Sequence, residues 1–409
     1  MHFLYQLSIS LFSLGVRIAS LFNEKAKLWV QGRRNTFEQL EQWRKKSAGK
    51  VVWVHCSSLG EFEQARPVIE AIKKHDPATL VLLTFFSPSG YEVRKNFEGA
   101  DHVCYLPLDT KANAQKFLDI VRPTSAVIIK YEYWANYFLA CRKAHIPLFI
   151  VSGILRPDQR FFGVFAPFWK TVLDSVTHFF VQNKTTEDLL RARGYNNVTL
   201  AGDTRFDRVV QIAAVAREIP EIEKFRGNSF CIVAGSSWPQ EEEMLEKFAS
   251  THPEVKMIIV PHEIGQAHIK QLRSRFPSAL LWSEHEDKDL SEGRTIIIDT
   301  IGMLSSIYRY ADLVVICGGF GKGIHNILEA AVWGVPVLFG PNHEKFEEAR
   351  QLIALGGAFV IRDNADMERQ VNHFLQDSAD REKSGIISAR YVRSATGATE
   401  RVMQALSKY

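Results

Sequence analysis

The stretch LVVICGGFGKGIHNILEAAVWGVPVLFGP, residues 313–341, decides the fold of this chain. It starts with a short apolar run, continues through a glycine-rich loop and a helical segment, and ends in a second apolar run. This order predicts two parallel strands joined by a crossover helix. In open sheets of this kind the ligand binds beyond the carboxyl ends of the strands. The glycine-rich loop follows the first run directly and is therefore a candidate binding loop.

The same alternation extends over two series of predicted strands, which are separated by a charged helical segment at 211–228. We expect an α/β protein with two doubly wound domains in tandem and a cleft between them. The first series comprises residues 51–55, 80–85, 126–131, 148–151 and 179–182, and the second comprises 230–234, 255–260, 295–299, 313–317, 335–339 and 358–361.

Composition excludes several classes of protein. Hydrophobic residues make up 46% of the 409 residues and charged residues 23%, which is typical of a globular protein and not of a disordered, fibrous or multi-span membrane chain. The five cysteines form no CxxC pair, so a disulfide framework and structural zinc are both poorly supported. The net charge of +4 is concentrated at the start, because residues 1–50 hold nine basic and three acidic side chains. This placement argues against a nucleic-acid-binding face.

Residues 3–22 are mostly apolar, with Arg17 among them, and a basic segment follows. We expect a helix that lies in a membrane interface, with the basic side chains against anionic headgroups. A single membrane span ranks second, because one arginine near a helix centre costs roughly 2.5–3.5 kcal/mol on insertion scales. A buried helix of the first domain is the simplest alternative. The basic residues that precede a secretory signal are absent before residue 3.

Two acidic loops follow predicted strands of the first half. In the loop after 51–55, Glu61 stands where a helix begins and could accept a proton from a hydroxyl. Its simpler interpretation is a first-turn acid that complements the helix dipole. Glu132 follows the strand at 126–131 among aromatic residues. It is equally suited to binding sugar hydroxyls and to an ion pair with Lys130.

Three loops of the second half have the composition of a phosphate or nucleotide site. Ser236 and Ser237 precede a helix whose free amides suit a phosphate, although a simple N-cap is the alternative. Pro261, His262 and Glu263 form a turn after 255–260, without the spacing of a zinc site. The turn could hold the edge of a nucleobase, although an ordinary loop histidine is the simpler interpretation. The glycine-rich loop leads to Asn326 and Glu329, which we predict on one face of the next helix. A dinucleotide fingerprint and a Walker lysine motif are both absent from the sequence.

Taken together, these motifs resemble a known family. The glycine-rich loop, the HNxxE segment at 325–329 and the GxPVxxGP strand resemble the donor-binding half of GT-B glycosyltransferases. More narrowly, the whole chain resembles the 3-deoxy-D-manno-octulosonic acid (Kdo) transferases of lipopolysaccharide biosynthesis. The other matching motifs are SxGE at 58–61, YEYWAN at 131–136, GDTRFD at 202–207, GSSW at 235–238 and PHE at 261–263.

The resemblance implies two Rossmann-like domains that transfer Kdo from CMP-Kdo to the lipid A precursor (lipid IVA) without a metal or a cofactor. It implies a membrane-associating segment at 1–50, an acceptor-binding domain at 51–210, a CMP-sugar-binding domain at 211–390 and a last helix at 391–409 that packs on the first domain. Glu61 takes the place of the general base, with Gly60 and Glu132 on the acceptor side. The donor-binding positions are Arg205, Ser236, Ser237, Pro261, His262, Glu263, Gly319, Lys322, Asn326 and Glu329, of which Lys322 or Arg205 would compensate the departing phosphate.

Three segments depart from the family pattern. Ala330 replaces the usual proline after the HNxxE segment, YEYWAN replaces ETELWPN, and residues 152–156 differ from NARLS. Lys130 and Tyr131 therefore receive no acidic role. Two rival functions stay open: a GT-B transferase that uses a UDP-sugar with a lipid acceptor, and a non-catalytic membrane-tethered nucleotide-binding protein. The resemblance places the protein on the cytoplasmic face of the bacterial inner membrane.

Overall fold

The computed structural model describes residues 1–159, 161, 163, 165–287 and 289–408. It divides into two compact units, of which the first contains Met1–Arg208 and Thr396–Tyr409 and the second contains Val209–Ala395. The sequence places this boundary two residues later, between 210 and 211.

The described part of the first unit contains one sheet of seven strands in the order β3-β2-β1-β4-β5-β6-β7. All of its neighbouring strands are parallel. The strands are β1 (Val51–Cys56), β2 (Leu80–Phe85), β3 (His102–Tyr105), β4 (Ser125–Ile129), β5 (Leu148–Gly153), β6 (His178–Val181) and β7 (Val198–Leu200). The sequence prediction missed β3 and β7 and extended β4 to residue 131. Lys130 ends β4 because its φ of 68° lies in the left-handed region, which a strand does not continue through.

The described part of the second unit contains a similar parallel sheet in the order β10-β11-β9-β8-β12-β13-β14. Its two-residue strand β10 is the one that the sequence prediction missed. The strands are β8 (Cys231–Ser237), β9 (Lys256–Pro261), β10 (Leu280–Leu281), β11 (Thr295–Ile297), β12 (Leu313–Ile316), β13 (Val337–Phe339) and β14 (Ala358–Val360).

Helices connect the strands. They are α1 (His2–Ala19), α2 (Glu24–Gly32), α3 (Thr36–Lys46), α4 (Leu59–His75), α5 (Pro88–Arg94), α6 (Lys111–Val121), α7 (Ala135–Lys143), α8 (Ala166–Leu173), α9 (Lys184–Arg191), α10 (Thr204–Val215), α11 (Pro220–Arg226), α12 (Pro239–Thr251), α13 (Gln266–Arg275), α14 (Leu304–Ile307), α15 (Leu328–Ala331), α16 (Glu347–Leu355), α17 (Asn364–Gln376), α18 (Ser378–Ser394) and α19 (Ala398–Leu406). Short 3-10 helices lie at Trp282–Asp287, Leu290–Glu292 and Tyr308–Tyr310.

Strand β1 shows why the central strands of the first sheet can be predicted from sequence. Its alternate side chains enter two different core clusters, with Trp53 packed among residues of α6 and α7 and Val54 among residues of α4 and α19. Helices thus cover both faces, so every residue of β1 is buried. A strand buried on both faces reads as an unbroken apolar run.

The last helix, α19, belongs to the first unit. Val402 is buried in the cluster that also contains β1 and α4. The carboxylate of Asp207 accepts hydrogen bonds from the backbone N–H groups of Gly397 and Thr399, at 2.6 and 2.7 Å. These two bonds fix the chain where it enters α19.

The first helix is amphipathic. Its Tyr5 side packs on α8 and Ile9 is buried, while a row of large apolar side chains on the other side is exposed to solvent. The exposed residues of this row within the helix are Phe3, Leu4, Leu7, Leu11, Leu14 and Ile18. No helix in the described part of the chain combines the length and the apolar character needed to cross a bilayer. The membrane association expected of this segment stays a prediction.

Candidate active site

The first sheet changes its winding direction between β1 and β4. The chain runs from β1 to β2 and β3 on one side and then returns to place β4 on the other side of β1. Such a switch point opens a crevice at the carboxyl ends of the two strands, where α/β proteins bind ligands. Glu61 follows β1 and Glu132 follows β4, so the fold brings the two predicted acidic residues to this crevice.

Glu61 is held by a capping box at the start of α4. Its Oε2 atom accepts hydrogen bonds from the backbone N–H of Ser58, at 2.7 Å, and from the Ser58 hydroxyl. The side chain is 6% exposed. The interpretation of Glu61 as a helix-start residue is therefore correct, and the same bonds orient its carboxylate at the sheet edge. Gly60 lies in the first turn of α4, and its acceptor-side role stays a prediction.

The Glu132 loop turns sharply away from β4 at Lys130. Within the described residues, the Lys130 ammonium lies 5.4 Å from the centre of the Tyr131 ring and makes no ion pair with Glu132. Glu132 is half-buried, between exposed Tyr131 and buried Tyr133. The ion pair that the sequence left open is therefore not formed.

Besides burial, the carboxylates of Glu61 and Glu132 raise the pKa of the same two neighbouring side chains. Burial raises the pKa of the Cys56 thiol well above its ordinary value, and the carboxylates of Glu61, Glu132 and Glu63 raise it further. The pKa of Tyr131 is also raised, first by burial and then by Glu61 and Glu132. Glu61 and Glu132 thus form one negatively charged neighbourhood at the switch point.

Two polar residues of this edge, one in the predicted strand 51–55 and one in the YEYWAN motif, were not chosen as candidates. His55 is fully buried at the end of β1, and burial lowers its pKa to about 3. Trp134 belongs to the loop of Glu132. The signal for His55 was present in the sequence, since it is the one polar residue of the run VVWVHC at 51–56.

Arg205, which the resemblance placed among donor-binding residues, follows β7 at the start of α10. Its guanidinium pairs with Asp203 at 2.8 Å. Asp203 also accepts hydrogen bonds from the side-chain amides of Gln64 and Gln182, at 3.0 and 2.9 Å. Burial raises the pKa of Asp203, but Arg205 and these hydrogen bonds outweigh it and leave the pKa below its ordinary value.

The second sheet has its own switch point between β8 and β12. Ser236 forms a bulge there with a φ of 56°, and buried Ser237 donates its hydroxyl to Glu242 at 2.8 Å. The carboxylate of Glu241 accepts the backbone N–H of Gly318, at 2.7 Å, and burial raises the pKa of Glu241. The start of α12 therefore carries its own acidic side chains, and phosphate binding at Ser236 and Ser237 stays a prediction.

An aromatic cluster occupies the same edge. The ring of His262 lies 4.7 Å from the rings of both Trp238 and His325. The Trp238 indole N–H donates to Nε2 of His325 at 3.2 Å. Burial, followed by the nearby His262, lowers the pKa of His325 to about 4. Flat rings at a strand edge can stack on a nucleobase. Trp238 and His325 were quoted within motifs but not proposed as binding residues.

The structure of the glycine-rich loop differs from the prediction for Asn326. Helix α15 spans Leu328–Ala331, so Asn326 lies ahead of it and not on its face. The Asn326 oxygen accepts the backbone N–H of Leu328 at 3.2 Å, and its amide donates to Glu329 at 2.9 Å. Asn326 thus satisfies a helix-start amide, a usual role for asparagine, and the Asn326–Glu329 pair still forms.

Position 319 requires glycine for steric reasons. A Cβ atom at this position would lie 2.6 Å from the backbone nitrogen of Gly340. The loop after β12 therefore packs directly on the loop after β13, and the residue type follows from that close approach.

The remaining predicted residues lie at the same edge of the second unit. Pro261 is buried as the last residue of β9, whereas His262, Glu263 and Lys322 are exposed. Among the described residues, no group of three or more His, Cys, Asp or Glu side chains is arranged to hold a metal ion.

Comparison with solved structures identifies the fold. The chain is 14% identical to UDP-GlcNAc 2-epimerase from Neisseria meningitidis, with a TM-score of 0.61 over 88% of this chain and 100% of that one. It is 13% identical to MurG from Acinetobacter baumannii, with a TM-score of 0.56 over 88% and 100% of the two chains. The two parallel α/β units therefore define a protein of the GT-B fold.

Sequence comparison shows which proteins the chain resembles. The family model for 3-deoxy-D-manno-octulosonic-acid transferase (kdotransferase) matches residues 32–208. The 3-deoxy-D-manno-octulosonic acid transferase of Aquifex aeolicus is 25% identical over 83% of this chain and 91% of its own length. That of Haemophilus influenzae is 23% identical over 88% and 87%. The resemblance that the motifs predict is confirmed: the chain is similar to Kdo transferases, which are glycosyltransferases, over most of its length.

Proposed function

We propose that the protein transfers Kdo from CMP-Kdo to a hydroxyl of the lipid A precursor, without a metal or a cofactor. In this reaction the bond between C2 of Kdo and the phosphate oxygen of CMP breaks, and a bond from C2 to the acceptor oxygen forms. The hydroxyl proton passes to Glu61, and CMP leaves as the phosphate anion. Because the donor is already activated, the protein has to position two substrates, accept one proton and compensate the leaving charge.

The observation that carries this proposal is the meeting of Glu61 and Glu132 at the switch point of the first sheet. Ser58 fixes Oε2 of Glu61, so in the proposed reaction Oε1 accepts the proton. A base held in one orientation by its own capping box loses little freedom when the acceptor binds. Glu132, half-buried beside it, would accept hydrogen bonds from other hydroxyls of the acceptor sugar.

The edge of the second sheet supports the donor half of the proposal. The rings of Trp238, His262 and His325 offer a stacking surface for a nucleobase. The Asn326–Glu329 pair would hold ribose hydroxyls, and exposed Lys322 would face the phosphate. Arg205, paired with Asp203, would contribute to charge compensation as a fixed cation.

We also propose that the protein lies at a membrane surface, on the cytoplasmic face of the inner membrane, and the apolar exposed row of α1 supports the contact with a membrane. This row of leucine and phenylalanine side chains would lie in the interface, and Arg17, Lys25 and Lys27 would face anionic headgroups. Such a position would let the protein meet a soluble donor and a lipid acceptor together.

Incubation of the purified protein with CMP-Kdo, generated in situ, and lipid A precursor tests the proposal. We expect a product heavier than the acceptor by one or more Kdo residues, read directly by mass spectrometry. Parallel reactions with UDP-hexoses serve as the matched comparison. Transfer from a UDP-hexose with none from CMP-Kdo would replace the proposed donor, and absence of transfer from either would favour a nucleotide-binding role.

A further inference from the structure

A cavity of about 440 Å³ lies in the first unit between α1, α6 and α7. This volume is within the range of about 300–1,000 Å³ typical of small-molecule sites. The polar residues that line it are His2 and Gln6 of α1, Lys111 and Gln115 of α6, and Asn136 and Lys143 of α7.

Two lysines, Lys111 and Lys143, give the lining of the cavity a positive charge. None of its described lining residues is acidic. Lys111 and Lys143 form no ion pair with any described residue, whereas Lys116, five residues further along α6, reaches Glu41 at 3.6 Å. Lys111 is also the first residue of α6, where the helix dipole favours an anion. Both lysines are exposed, so their ammonium groups are accessible to an anion from outside the chain.

Hydrogen bonds fix the wall between the helices. The Gln6 amide donates to the Asn136 side-chain oxygen at 2.6 Å, and the Asn136 amide donates to the Asp109 carbonyl at 2.6 Å. Tyr5 donates its hydroxyl to the Asp109 carboxylate at 2.5 Å. These bonds join α1 to the start of α7, so the cavity exists before a ligand binds and binding requires little ordering.

The surface beside the cavity is apolar. His2 and Gln6 line the cavity, while the residues that follow them, Phe3 and Leu7, are 76% and 45% exposed. A cationic pocket and an exposed apolar row therefore adjoin on the first two turns of α1. A molecule with a phosphate head and acyl chains would contact both, whereas a free phosphate would use the pocket alone.

We propose that this cavity binds the headgroup phosphate of an anionic membrane phospholipid, with Lys111 and Lys143 as its charged contacts. The site rests on the proposed position of α1 at a membrane surface. It adds a specific headgroup contact to the non-specific attraction of the basic segment.

Co-sedimentation of the full chain with phosphatidylcholine vesicles, with and without phosphatidic acid, tests this site. We expect phosphatidic acid to increase the bound fraction, and the K111Q/K143Q double variant to lose about tenfold or more of the added affinity. The matched control K270Q/K383Q removes the same charge from exposed lysines of α13 and α18 that also form no ion pair with a described residue, and it should bind like the wild type. Thermal unfolding checks that the variants stay folded, and inorganic phosphate replaces vesicles in a separate titration.

Three results would overturn the site. If both double variants lost vesicle binding equally, general electrostatic attraction would explain the binding and no specific site would be needed. Binding of inorganic phosphate that depends on Lys111 and Lys143, with vesicle binding unchanged, would make it a site for soluble phosphate. Wild-type protein that binds neither kind of vesicle would remove the membrane position as well. The transferase proposal is judged separately, by Kdo transfer to detergent-solubilised acceptor.

Discussion

The indole N–H of Trp134 donates a hydrogen bond to Nε2 of His55 across 3.1 Å. On the other side of the ring, Nδ1 of His55 lies 3.1 Å from the carbonyl oxygen of Thr84, which can only accept. The proton of His55 must therefore be on Nδ1, and the imidazole is neutral with one tautomer. Since Trp134 lies two residues after Glu132, this bond ties the acidic loop to β1.

Replacement of Trp134 by Phe should loosen that tie. Phe keeps the ring contact with Phe86, now 4.6 Å between centres, but leaves Nε2 of His55 buried without a donor. We expect a loss of about 1–3 kcal/mol in the free energy of unfolding, measured with urea. Trp282→Phe is the control, since Trp282 makes a ring contact with His285 and no indole N–H hydrogen bond to a described residue. Equal losses in the two variants would contradict the role of the Trp134 hydrogen bond.

Acidification should destabilise the protein through His55. Its folded-state pKa of about 3 lies below the ordinary value of 6.5, so the unfolded chain takes up the proton first as pH falls. The contribution of His55 is complete above pH 6.5 and is lost between pH 6.5 and about 3. Between pH 7 and pH 5 we expect this residue to account for a loss of about 2 kcal/mol. Urea unfolding across this range should show a shallower pH dependence for His55→Gln, and parallel curves would refute the assignment.

The strands that sequence predicts well are those buried on both faces. Residues 51–55 and 80–85 read as unbroken apolar runs because helices cover both sides of the sheet, and the strands lie where predicted. β3 was missed because it begins with His102, which is half-buried at the sheet edge, and β7 because it has three residues. Apolar runs therefore reveal the centre of a parallel sheet better than its edges.

The sequence predicted which loops form the candidate site, but it did not predict which of their residues contact each other. The SxGE motif at 58–61 already contains the spacing of a capping box, so the Ser58–Glu61 bond could have been read from sequence. The Trp238–His325 bond joins residues 87 positions apart. No local pattern indicates such a pair, because the sheet order sets which loops meet. The meeting of Glu61 and Glu132 likewise depends on β1 and β4 being neighbours.

Glu61→Gln separates catalysis from folding. Glutamine also completes a capping box, so the stability should change by less than about 1 kcal/mol. If Glu61 is the base, kcat should fall by at least about 10²-fold. Ser58→Ala is the complementary control, since it loses about 1 kcal/mol of helix capping and keeps the carboxylate. Kdo transfer measured by mass spectrometry distinguishes them, and wild-type turnover by Glu61→Gln would exclude the proposed base.

The exposed row of α1 should be needed for membrane binding and not for folding. Leu7, Leu11 and Leu14 are 45%, 59% and 56% exposed, so serine at all three positions removes little buried area. We expect the triple variant to keep its unfolding temperature within a few degrees and to lose binding to anionic vesicles. Ile386→Ser, at a 48% exposed position of α18, is the control. Undiminished vesicle binding by the triple variant would argue against α1 as the contact.

Gly319→Ala should damage the second unit through a backbone clash. The added Cβ would lie 2.6 Å from the nitrogen and 2.7 Å from the Cα of Gly340, so one of the two loops must move. We expect a cost of about 1–3 kcal/mol in stability, which is typical of overpacking, and CMP binding weakened by about tenfold or more. Gly321→Ala in the same loop is the matched control, because its Cβ would meet the Gly318 oxygen at an ordinary 3.6 Å. Calorimetric titration with CMP measures both variants. If Gly319→Ala binds CMP as tightly as Gly321→Ala does, the packing of these two loops is not what shapes the donor site.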